Sequence, residues 1–366
     1  MSQYKAALIG TGRIASTIDD EVEGTDTLMP MSHMGSYLAC SEVDVVGAAD
    51  PHPQQRDSFS KRYGFPHMFE DYRDMIEKTR PDIVSICTSA KPRADIVLNI
   101  AAMDAGVKAI YAEKPISISL DEADRMVEAC DKAGIVLAVN CSRRWDPWYT
   151  KARQLIDNGI IGDIMHVTVN QFGHLSHNSH MLNLARYLAG GDGRVSWVFG
   201  EMDDDEIAKT DDDLGGVSYL AFESGVRGIV RMQSWLFNES EIHGTDGKIR
   251  ALNDGQEWEL WRRSDDPRRA TVVRHLFPLP QRIDSPNVRA IRDILHCTET
   301  GDQPLSSGED GRHDLEVAVA LRESHRQGGK RIDLPFPDRS QKINSYEVLL
   351  GDEPRAIARA RDRKGK

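Results

Sequence analysis

Short apolar runs alternate with amphipathic stretches along the first 140 residues of the chain. The apolar runs predict buried parallel strands, because a strand covered on both faces carries few polar positions. Glycines directly after several amphipathic stretches predict helix ends. The predicted strands are 4–9, 43–49, 83–87, 107–112 and 135–139, and the predicted helices between them are 56–63, 72–78, 93–105 and 120–133. This alternation is typical of a doubly wound parallel sheet.

The pattern changes after residue 143. Short strands with alternating polarity follow one another, separated by Gly, Asn and Asp turns, which is typical of an open antiparallel sheet. The predicted strands are 164–172, 215–222, 227–235, 240–244, 248–252 and 258–262, and the predicted helices are 147–158, 180–188, 287–298 and 312–327. The sequence therefore predicts an α/β protein with a parallel-sheet domain at 1–143, a C-terminal α+β domain at 144–345 and a frayed tail at 346–366.

A glycine-rich turn, Gly10-Thr11-Gly12-Arg13-Ile14-Ala15, follows the first predicted strand. Gly10 permits a tight turn, and Gly12 lets a pyrophosphate approach the backbone. Ala15 lets a following helix pack on the strand, and the N-terminus of that helix offers free N–H groups to phosphates. In this position the motif predicts dinucleotide binding by Gly10, Gly12, Arg13 and Ile14.

Asp50 ends the second predicted strand. A carboxylate there accepts a ribose 2′-OH and repels a 2′-phosphate, which favours NAD over NADP; the alternative is a plain turn residue before Pro51. The stretch from Gly12 to Asp50 exceeds the usual ~20 residues. The excess lies in 16–30, which carries Asp19, Asp20, Glu21, Glu23 and Asp26. Because these carboxylates would repel a pyrophosphate, we expect the segment to face solvent or to overhang the reactive end of the cofactor as a flap.

The composition of the chain argues against some classes of binding partner and indicates a cellular compartment. The 46 basic and 58 acidic residues give a formal charge of −12, which argues against a nucleic-acid or anionic-membrane surface. The five cysteines have no Cys-x-x-Cys spacing, and we see no signal peptide or membrane-spanning run. We therefore expect a cytoplasmic protein without a disulfide framework.

Several motifs together resemble the glucose-fructose oxidoreductase / inositol dehydrogenase / rhizopine-catabolism (Gfo/Idh/MocA) oxidoreductases. They are Gly10–Ala15, Asp50, Glu113-Lys114-Pro115, the stretches 140–147 and 180–188, and the glycine motifs in 244–247 and 305–311. The resemblance implies an N-terminal Rossmann domain, a C-terminal α/β domain with an open sheet, and NAD(P)-dependent oxidation or reduction of a sugar or cyclitol carbinol. Two positions depart from the family: Ser176 replaces an aspartate that commonly precedes the histidine at 180, and Arg93 stands where many relatives carry a histidine.

Lys114 and His180 are the candidate catalytic residues. Hydride leaves a carbinol only if its hydroxyl proton also leaves, which requires a base near neutrality and a positive group beside the forming oxygen. The resemblance implies that Lys114 polarises the substrate oxygen at the nicotinamide and that His180 is the acid/base, a role that suits imidazole. The alternatives are a solvated lysine and a helix-cap or core histidine.

Other residues complete the expected site. The resemblance implies that Thr88, Glu113, Lys114, Asn140 and Arg144 contact the cofactor, and that Lys114, Arg144, Trp145, His177, Asn178 and His180 contact the substrate. For Arg144 and Trp145 the alternative is an inter-domain salt bridge with a core tryptophan. The three-residue spacing of His174, His177 and His180 invites a metal site, but such steps drift around a helix, so we expect no metal.

The sequence thus predicts an NAD-dependent sugar or cyclitol dehydrogenase. One alternative is a redox-neutral enzyme that keeps NAD bound and eliminates or hydrolyses a group beside a transiently oxidised carbon. Another is a non-catalytic sugar sensor on the same fold. An open sheet with several tryptophans also predicts a homodimer or homotetramer, because one apolar face would otherwise be exposed.

Overall fold

The computed structural model describes residues 4–21, 27–171, 173–176, 179–232, 238–266, 268 and 271–345. Its first sheet has six parallel strands in the order β3-β2-β1-β4-β5-β6. The strands are β1 (Tyr4–Ile9), β2 (Val43–Ala49), β3 (Met68–Phe69), β4 (Ile83–Ile86), β5 (Ala109–Ala112) and β6 (Val136–Val139). Strands β4 and β5 are buried at every position, Ser85 included, as expected for strands that are covered on both faces. The predicted doubly wound parallel sheet is confirmed.

Five helices belong to this part of the chain, namely α1 (His33–Leu38), α2 (Pro53–Tyr63), α3 (Tyr72–Thr79), α4 (Ala90–Ala102) and α5 (Leu120–Ala133). Gly64 and Gly134 end α2 and α5 in the left-handed conformation, as predicted. Helix α2 begins three residues earlier than predicted, because Pro53 stands in its first turn, where a missing N–H costs nothing. Helix α4 also begins and ends three residues before its predicted bounds.

The helix expected directly after the glycine motif is interrupted. Residues 13–21 form turns and a short 3₁₀ helix, Thr17–Asp20, whereas α1 begins only at His33. The first two amides of α1, at His33 and Met34, nevertheless donate to the carbonyl oxygens of Ile14 and Ala15 at 3.1 and 3.0 Å. The turn at 13–15 therefore stacks on α1 as if both were one helix, and residues 16–32 are an insertion within it. We call these residues the 16–32 insertion.

The second sheet has nine strands in the order β14-β13-β12-β11-β7-β10-β9-β8-β15, and only β7 and β10 pair in parallel. This confirms the predicted open, largely antiparallel sheet. The strands are β7 (Ile164–Gln171), β8 (Val195–Met202), β9 (Gly216–Phe222), β10 (Arg227–Met232), β11 (Glu239–Gly244), β12 (Gly247–Leu252), β13 (Glu257–Arg263), β14 (Val272–His275) and β15 (Ile332–Asp333). The helices are α6 (Pro147–Asp157), α7 (Ser179–Leu188), α8 (Asp205–Ala208), α9 (Pro286–Thr300) and α10 (Gly308–Arg326).

Helix α9 is far along the chain but completes the first domain. Its apolar residues Val288, Ile291 and Ile294 pack in one core cluster with Leu8 and Tyr111 of the parallel sheet. Helix α10 packs against α5, α7 and β8, and so joins the two domains. No helix in the described part of the chain is long and apolar enough to span a membrane.

Candidate active site

A cavity of about 520 Å³ lies between the carboxyl edge of the parallel sheet and the second domain. In an open α/β sheet this edge is where the strands deliver their ligand-binding loops. Seven of the predicted site residues line the cavity, namely Arg13, Ile14, Thr88, Glu113, Lys114, Asn140 and His180. The structure therefore brings both candidate catalytic residues to one cavity, together with part of the predicted cofactor site.

Gly10 and Gly12 shape the turn after β1. Gly10 has a φ of +84°, and a Cβ there would lie 3.2 Å from the backbone nitrogen of Thr88. A side chain at Gly10 would thus be strained and crowded against the loop after β4. A Cβ at Gly12, in contrast, would meet no atom within 4 Å. The backbone at Gly12 is open to a ligand, which fits the predicted approach of a pyrophosphate.

Glu113, at the end of β5, is the centre of a buried hydrogen-bond network. Its Oε1 atom lies 3.0 Å from His33 Nε2 and accepts from Asn140 Nδ2 at 2.7 Å, and its Oε2 accepts from the Lys114 backbone N–H at 3.3 Å. His33 Nδ1 lies 2.9 Å from Ser85 Oγ. The residue before the candidate catalytic lysine is therefore held by three elements of the first domain.

His33 and Glu113 form an ion pair at the wall of the cavity, with the His33 side chain fully buried and that of Glu113 9% exposed. Burial lowers the pKa of His33, but the neighbouring Cys87 sulfur and the Glu113 carboxylate outweigh it and raise that pKa to about 10. Burial raises the pKa of Glu113, but the hydrogen bond and charge of His33 and the charge of Lys114 outweigh it and lower that pKa to about 2. Both groups are thus charged at neutral pH, and the pair adds no net charge beside Lys114. Sequence reasoning missed His33, because nothing local to it signals a partner eighty residues away.

Arg93 fixes the two loops around the lysine. Its guanidinium is fully buried and donates to the carbonyl oxygens of Thr88 and Pro115. These carbonyls flank the ends of β4 and β5, so Arg93 links the loop of Thr88 to the loop of Lys114. Where the resemblance leads us to expect a histidine, this chain therefore has a buried cation that positions two loops.

Asp50 lies at the end of β2 as predicted, and it is buried. Its Oδ2 accepts from the backbone N–H and the hydroxyl of Thr11 at 2.9 and 3.2 Å, and its Oδ1 accepts from the His52 N–H at 2.9 Å. Arg56 donates to the Asp50 carbonyl oxygen at 2.7 Å. The carboxylate thus holds the glycine turn in place, while its Oδ1, which accepts one hydrogen bond, keeps acceptor capacity for a ribose hydroxyl.

Three acidic residues of the 16–32 insertion bind to other groups of the protein, and none of the three lines the cavity. Asp19 accepts from the backbone N–H groups of Met31 and Ser32 at 2.7 and 2.8 Å, and so joins the two ends of the insertion. Asp20 pairs with Arg62, and Glu21 with Arg13. Glu23 and Asp26 lie outside the described residues. Asp19, Asp20 and Glu21 are thus held by hydrogen bonds or paired with arginines, and apolar residues of the insertion line the cavity instead.

His180 stands in the first turn of α7 and faces the cavity from the second domain. Gln171, at the end of β7, lines the same side, and its buried Oε1 finds no hydrogen-bond partner in the described part of the chain. Ser176, at the position where the resemblance leads us to expect an aspartate, is buried, and its backbone N–H donates to Asp213 Oδ1 at 2.9 Å. The predicted substrate contacts His177 and Asn178 lie outside the described residues.

Two ion pairs border the cavity on the same side. Arg143 donates to both carboxylate oxygens of Asp254 at 2.8 Å, and Arg282 pairs with Asp146. All four residues line the cavity, so each guanidinium charge there is matched by a carboxylate. Sequence reasoning missed Arg282, Asp254 and Gln171, because they come from strand ends and loops far apart in the chain.

Arg144 and Trp145 are placed differently from the prediction. Arg144 is buried outside this cavity, donating to Asn183 Oδ1 and the Leu305 carbonyl oxygen and pairing with Asp310. The Trp145 indole is a core residue that donates to Asp293 at 2.8 Å. Both residues fit the alternative of a buried ion pair and a core tryptophan, and neither lines the cavity, whereas the adjacent Arg143 does.

No group of three metal-binding side chains occurs among the residues that the structure describes. The predicted His174, His177 and His180 spacing cannot be judged as a set, because His177 lies outside that part of the chain.

Comparison with known proteins gives the family. Residues 4–141 match an oxidoreductase family with an NAD-binding Rossmann fold, and residues 153–334 match the C-terminal α/β domain of the same family, GFO_IDH_MocA. The chain is 25% identical to myo-inositol 2-dehydrogenase of Thermotoga maritima over 320 residues, which cover 80% of this chain and 92% of that one. It is 25% identical to D-apiose dehydrogenase of Paraburkholderia graminis over 362 residues, covering 90% and 89%.

A solved levoglucosan dehydrogenase, in complex with NADH and levoglucosan, has a TM-score of 0.73 against this structure. The two chains are 21% identical, and the match covers 91% of this chain and 99% of that one. At this identity the likeness is one of fold. Because both domains of the family match in order and span most of the sequence, the chain belongs to the Gfo/Idh/MocA oxidoreductases.

Proposed function

We propose that this protein transfers a hydride between NAD and a carbinol carbon of a sugar, glycoside or cyclitol. One observation carries the proposal: Lys114 and His180, from different domains, line one cavity at the carboxyl edge of an NAD-binding sheet. A cation and an imidazole are the two groups that alcohol oxidation requires beside a hydride acceptor.

The residues present fit a dinucleotide. The open backbone at Gly12 suits a pyrophosphate, and the buried Oδ1 of Asn140, which finds no partner among the described residues, is an acceptor at the cavity wall. When bound, NAD supplies the hydride-accepting ring. Lys114 holds the substrate oxygen and stabilises its developing negative charge, and His180 takes the hydroxyl proton. Arg93 and the His33–Glu113 pair keep the loop of Lys114 in place.

Charge balance favours a neutral polyhydroxy substrate. On the second-domain side the guanidinium groups of Arg143 and Arg282 are already paired with Asp254 and Asp146. An anionic ligand would have to compete with these carboxylates, whereas a hydroxyl can donate to Gln171 Oε1. Relatives with sugar and cyclitol names agree with this class of substrate.

The test is a panel of polyols, aldoses and glycosides followed by NADH absorbance, with NAD and NADP compared. Net NADH formation from at least one member of the panel is expected. A redox-neutral enzyme would consume a substrate without net NADH formation, and a sugar sensor would bind ligand without turnover of either kind. Either result would refute the proposed reaction and favour the corresponding alternative, because both alternatives are compatible with the same fold.

NAD is the proposed cofactor in preference to NADP. A 2′-phosphate beside the buried Asp50 carboxylate would be repelled and left without a partner, at about 1–3 kcal/mol, or one to two orders of magnitude in kcat/KM. Arg56 is the nearby cation, but it is held by the Asp50 and Pro51 carbonyl oxygens. Equal or higher kcat/KM with NADP would refute the preference and implicate Arg56.

We further propose that the protein is a homodimer or homotetramer built through the outer face of the second sheet. Trp197, Phe199 and Tyr219 form an aromatic cluster on that face, with ring centroids 5.3–6.3 Å apart, and Ile229 is 40% exposed. An apolar patch of this kind is usually covered by another molecule. Light scattering that finds a stable monomer of 40.9 kDa at micromolar concentration would contradict it.

The proposed compartment is the cytoplasm. All five cysteines are free thiols, and four of them are buried. Such thiols are typical of a reducing compartment. Fractionation of the source cells, with thiol labelling of the native protein, tests this assignment.

A further inference from the structure

The 16–32 insertion supplies a second wall to the active-site cavity. Ile18, Leu28, Pro30 and Met31 line it, together with Thr27, in the same cavity as Lys114 and His180. Met29, between them in sequence, points outward and is 41% exposed. The insertion therefore presents one apolar side to the cavity and another side to solvent.

The described ends of the insertion are anchored to the cofactor half of the molecule. The insertion follows Ala15 of the glycine motif and precedes His33, whose ring lies within hydrogen-bond distance of Glu113. Asp19 joins the two ends, and the Asp20–Arg62 pair fastens them to α2. The Met31 carbonyl oxygen accepts from Asn287 of α9. These attachments hold Leu28 and Met31 at a fixed place beside the cavity.

Helix α1 is adapted to the insertion at Gly35. A Cβ there would lie 2.8 Å from Pro30 Cβ, 2.8 Å from Ser32 Oγ and 2.9 Å from Asp19 Oδ2. Such distances are too short for real contacts, so any side chain at Gly35 would push the insertion away from the helix. The close approach shows that the insertion packs as part of the fold at this point.

We propose that Leu28 and Met31 pack against the nicotinamide riboside half of NAD and slow its release. The proposal rests on the proposed use of NAD. The insertion belongs to the domain that carries the glycine motif, whereas Gln171 and Asp254, which line the same cavity, come from the second domain, so we place the insertion on the cofactor side. Apolar side chains with fixed backbones gain from covering a flat ring, and the gain appears mainly in the dissociation rate.

The experiment measures binding rather than turnover, on the full-length protein. NADH affinity is determined by fluorescence titration, and its release by stopped-flow displacement with excess NAD. The variant is Leu28→Ala/Met31→Ala, and Met29→Ala is the matched control on the outer side of the same segment. ADP-ribose, which lacks the nicotinamide, is the second probe. Thermal unfolding without ligand checks that each variant is folded.

The double variant should bind NADH about tenfold more weakly, mostly through faster release, because several methylene groups leave an apolar contact. Its ADP-ribose affinity should stay within about twofold, and Met29→Ala should match the wild type. Gly35→Ala should act in the same direction as the double variant, since its Cβ would displace the wall residue Pro30 while Leu28 and Met31 keep their side chains.

Two results would overturn the inference. An unchanged NADH dissociation rate in the double variant would show that the wall does not contact the cofactor. Equal weakening of NADH and ADP-ribose would show that the insertion only supports the glycine turn. In both cases the wild type still binds NADH, whereas a wild type that binds neither nucleotide contradicts the proposed function itself.

Discussion

The two halves of the active-site cavity are built differently. On the cofactor half, Glu113 accepts from Asn140 and the Lys114 backbone and pairs with His33, and Arg93 ties the adjacent loops together. On the substrate half, the buried Gln171 Oε1 lines the cavity and has no partner within the described residues. The first half is largely preorganised by the protein and leaves Asn140 Oδ1 as an acceptor for a ligand, and on the second half a ligand can satisfy Gln171.

The largest effect is expected from Lys114→Ala on the preorganised half. The lysine acts mainly on the developing alkoxide, so kcat should fall about 10²–10⁴-fold while NADH affinity changes little. Steady-state kinetics and NADH titration measure the two quantities separately. A variant that loses only cofactor affinity would make Lys114 a phosphate or ribose ligand and leave the electrophile unidentified.

Breaking the buried His33–Glu113 ion pair tests how much this pair contributes to the stability of the cofactor half. His33→Leu leaves the Glu113 carboxylate buried without its counter-ion, which should lower the free energy of unfolding by about 3–5 kcal/mol. Adding Glu113→Gln to this variant removes the uncompensated charge and should recover part of the loss. Chemical denaturation measures these two variants and the Glu113→Gln single variant, and a loss in the double variant equal to the sum of the two single losses would show that the residues do not act as a pair.

The same pair predicts a pH dependence of stability. The pKa of His33 is raised from 6.5 to about 10, so its contribution is complete below pH 6.5 and is lost as the pH rises through about 10. The pKa of Glu113 is lowered from 4.5 to about 2, so its contribution is lost as the pH falls from 4.5 through about 2. Melting temperatures across this range should fall at both ends, and the alkaline fall should be shallower in His33→Leu.

His180→Ala tests the proton transfer on the substrate half. Turnover should fall about 10²-fold or more, and part of the loss should recover at high pH, where hydroxide takes over as the base. A pH profile of kcat for the variant and the wild type gives the comparison. Near-normal turnover of the variant would assign the acid/base role to another residue.

Gln171→Leu should have the smallest effect and the most diagnostic one. Loss of a hydroxyl acceptor should raise the substrate KM about tenfold, while removal of an unpaired buried amide should leave stability equal or improve it by ~1 kcal/mol. Asn170→Ala, on the opposite face of β7, is the control. A Gln171→Leu variant that is clearly less stable would show that the amide has a partner in the unliganded protein.

Most strands of the fold were predictable, because the local pattern of apolar and polar residues indicates which positions are buried. β1 and β2 have the predicted bounds, whereas β8 was missed. Gly200 lies inside β8, although a glycine in a sequence usually suggests a turn. A glycine is needed there because a Cβ would collide with the Leu321 carbonyl oxygen of α10. A close approach between distant segments leaves no signal in a sequence window.

The site divides in the same way. Lys114 and Thr88, which the family resemblance assigned to the site, line the cavity, because they follow strands whose ends meet at one edge of the sheet. Arg143 lines the cavity and Arg144 does not, and two adjacent arginines give no indication of which one faces it. The interrupted helix was also beyond sequence reasoning, because the bonds from His33 and Met34 to Ile14 and Ala15 cross the whole insertion.

The position of α9 has a consequence for biosynthesis. The face of the parallel sheet that carries Leu8 and Tyr111 is covered by residues 286–300, which leave the ribosome more than a hundred residues after the last strand of that sheet. The nascent first domain therefore exposes a hydrophobic surface during most of translation, and such surfaces recruit chaperones. A fragment that ends at the domain boundary near residue 143 would keep that surface permanently, so the N-terminal half should aggregate when expressed alone unless α9 is supplied as a separate peptide.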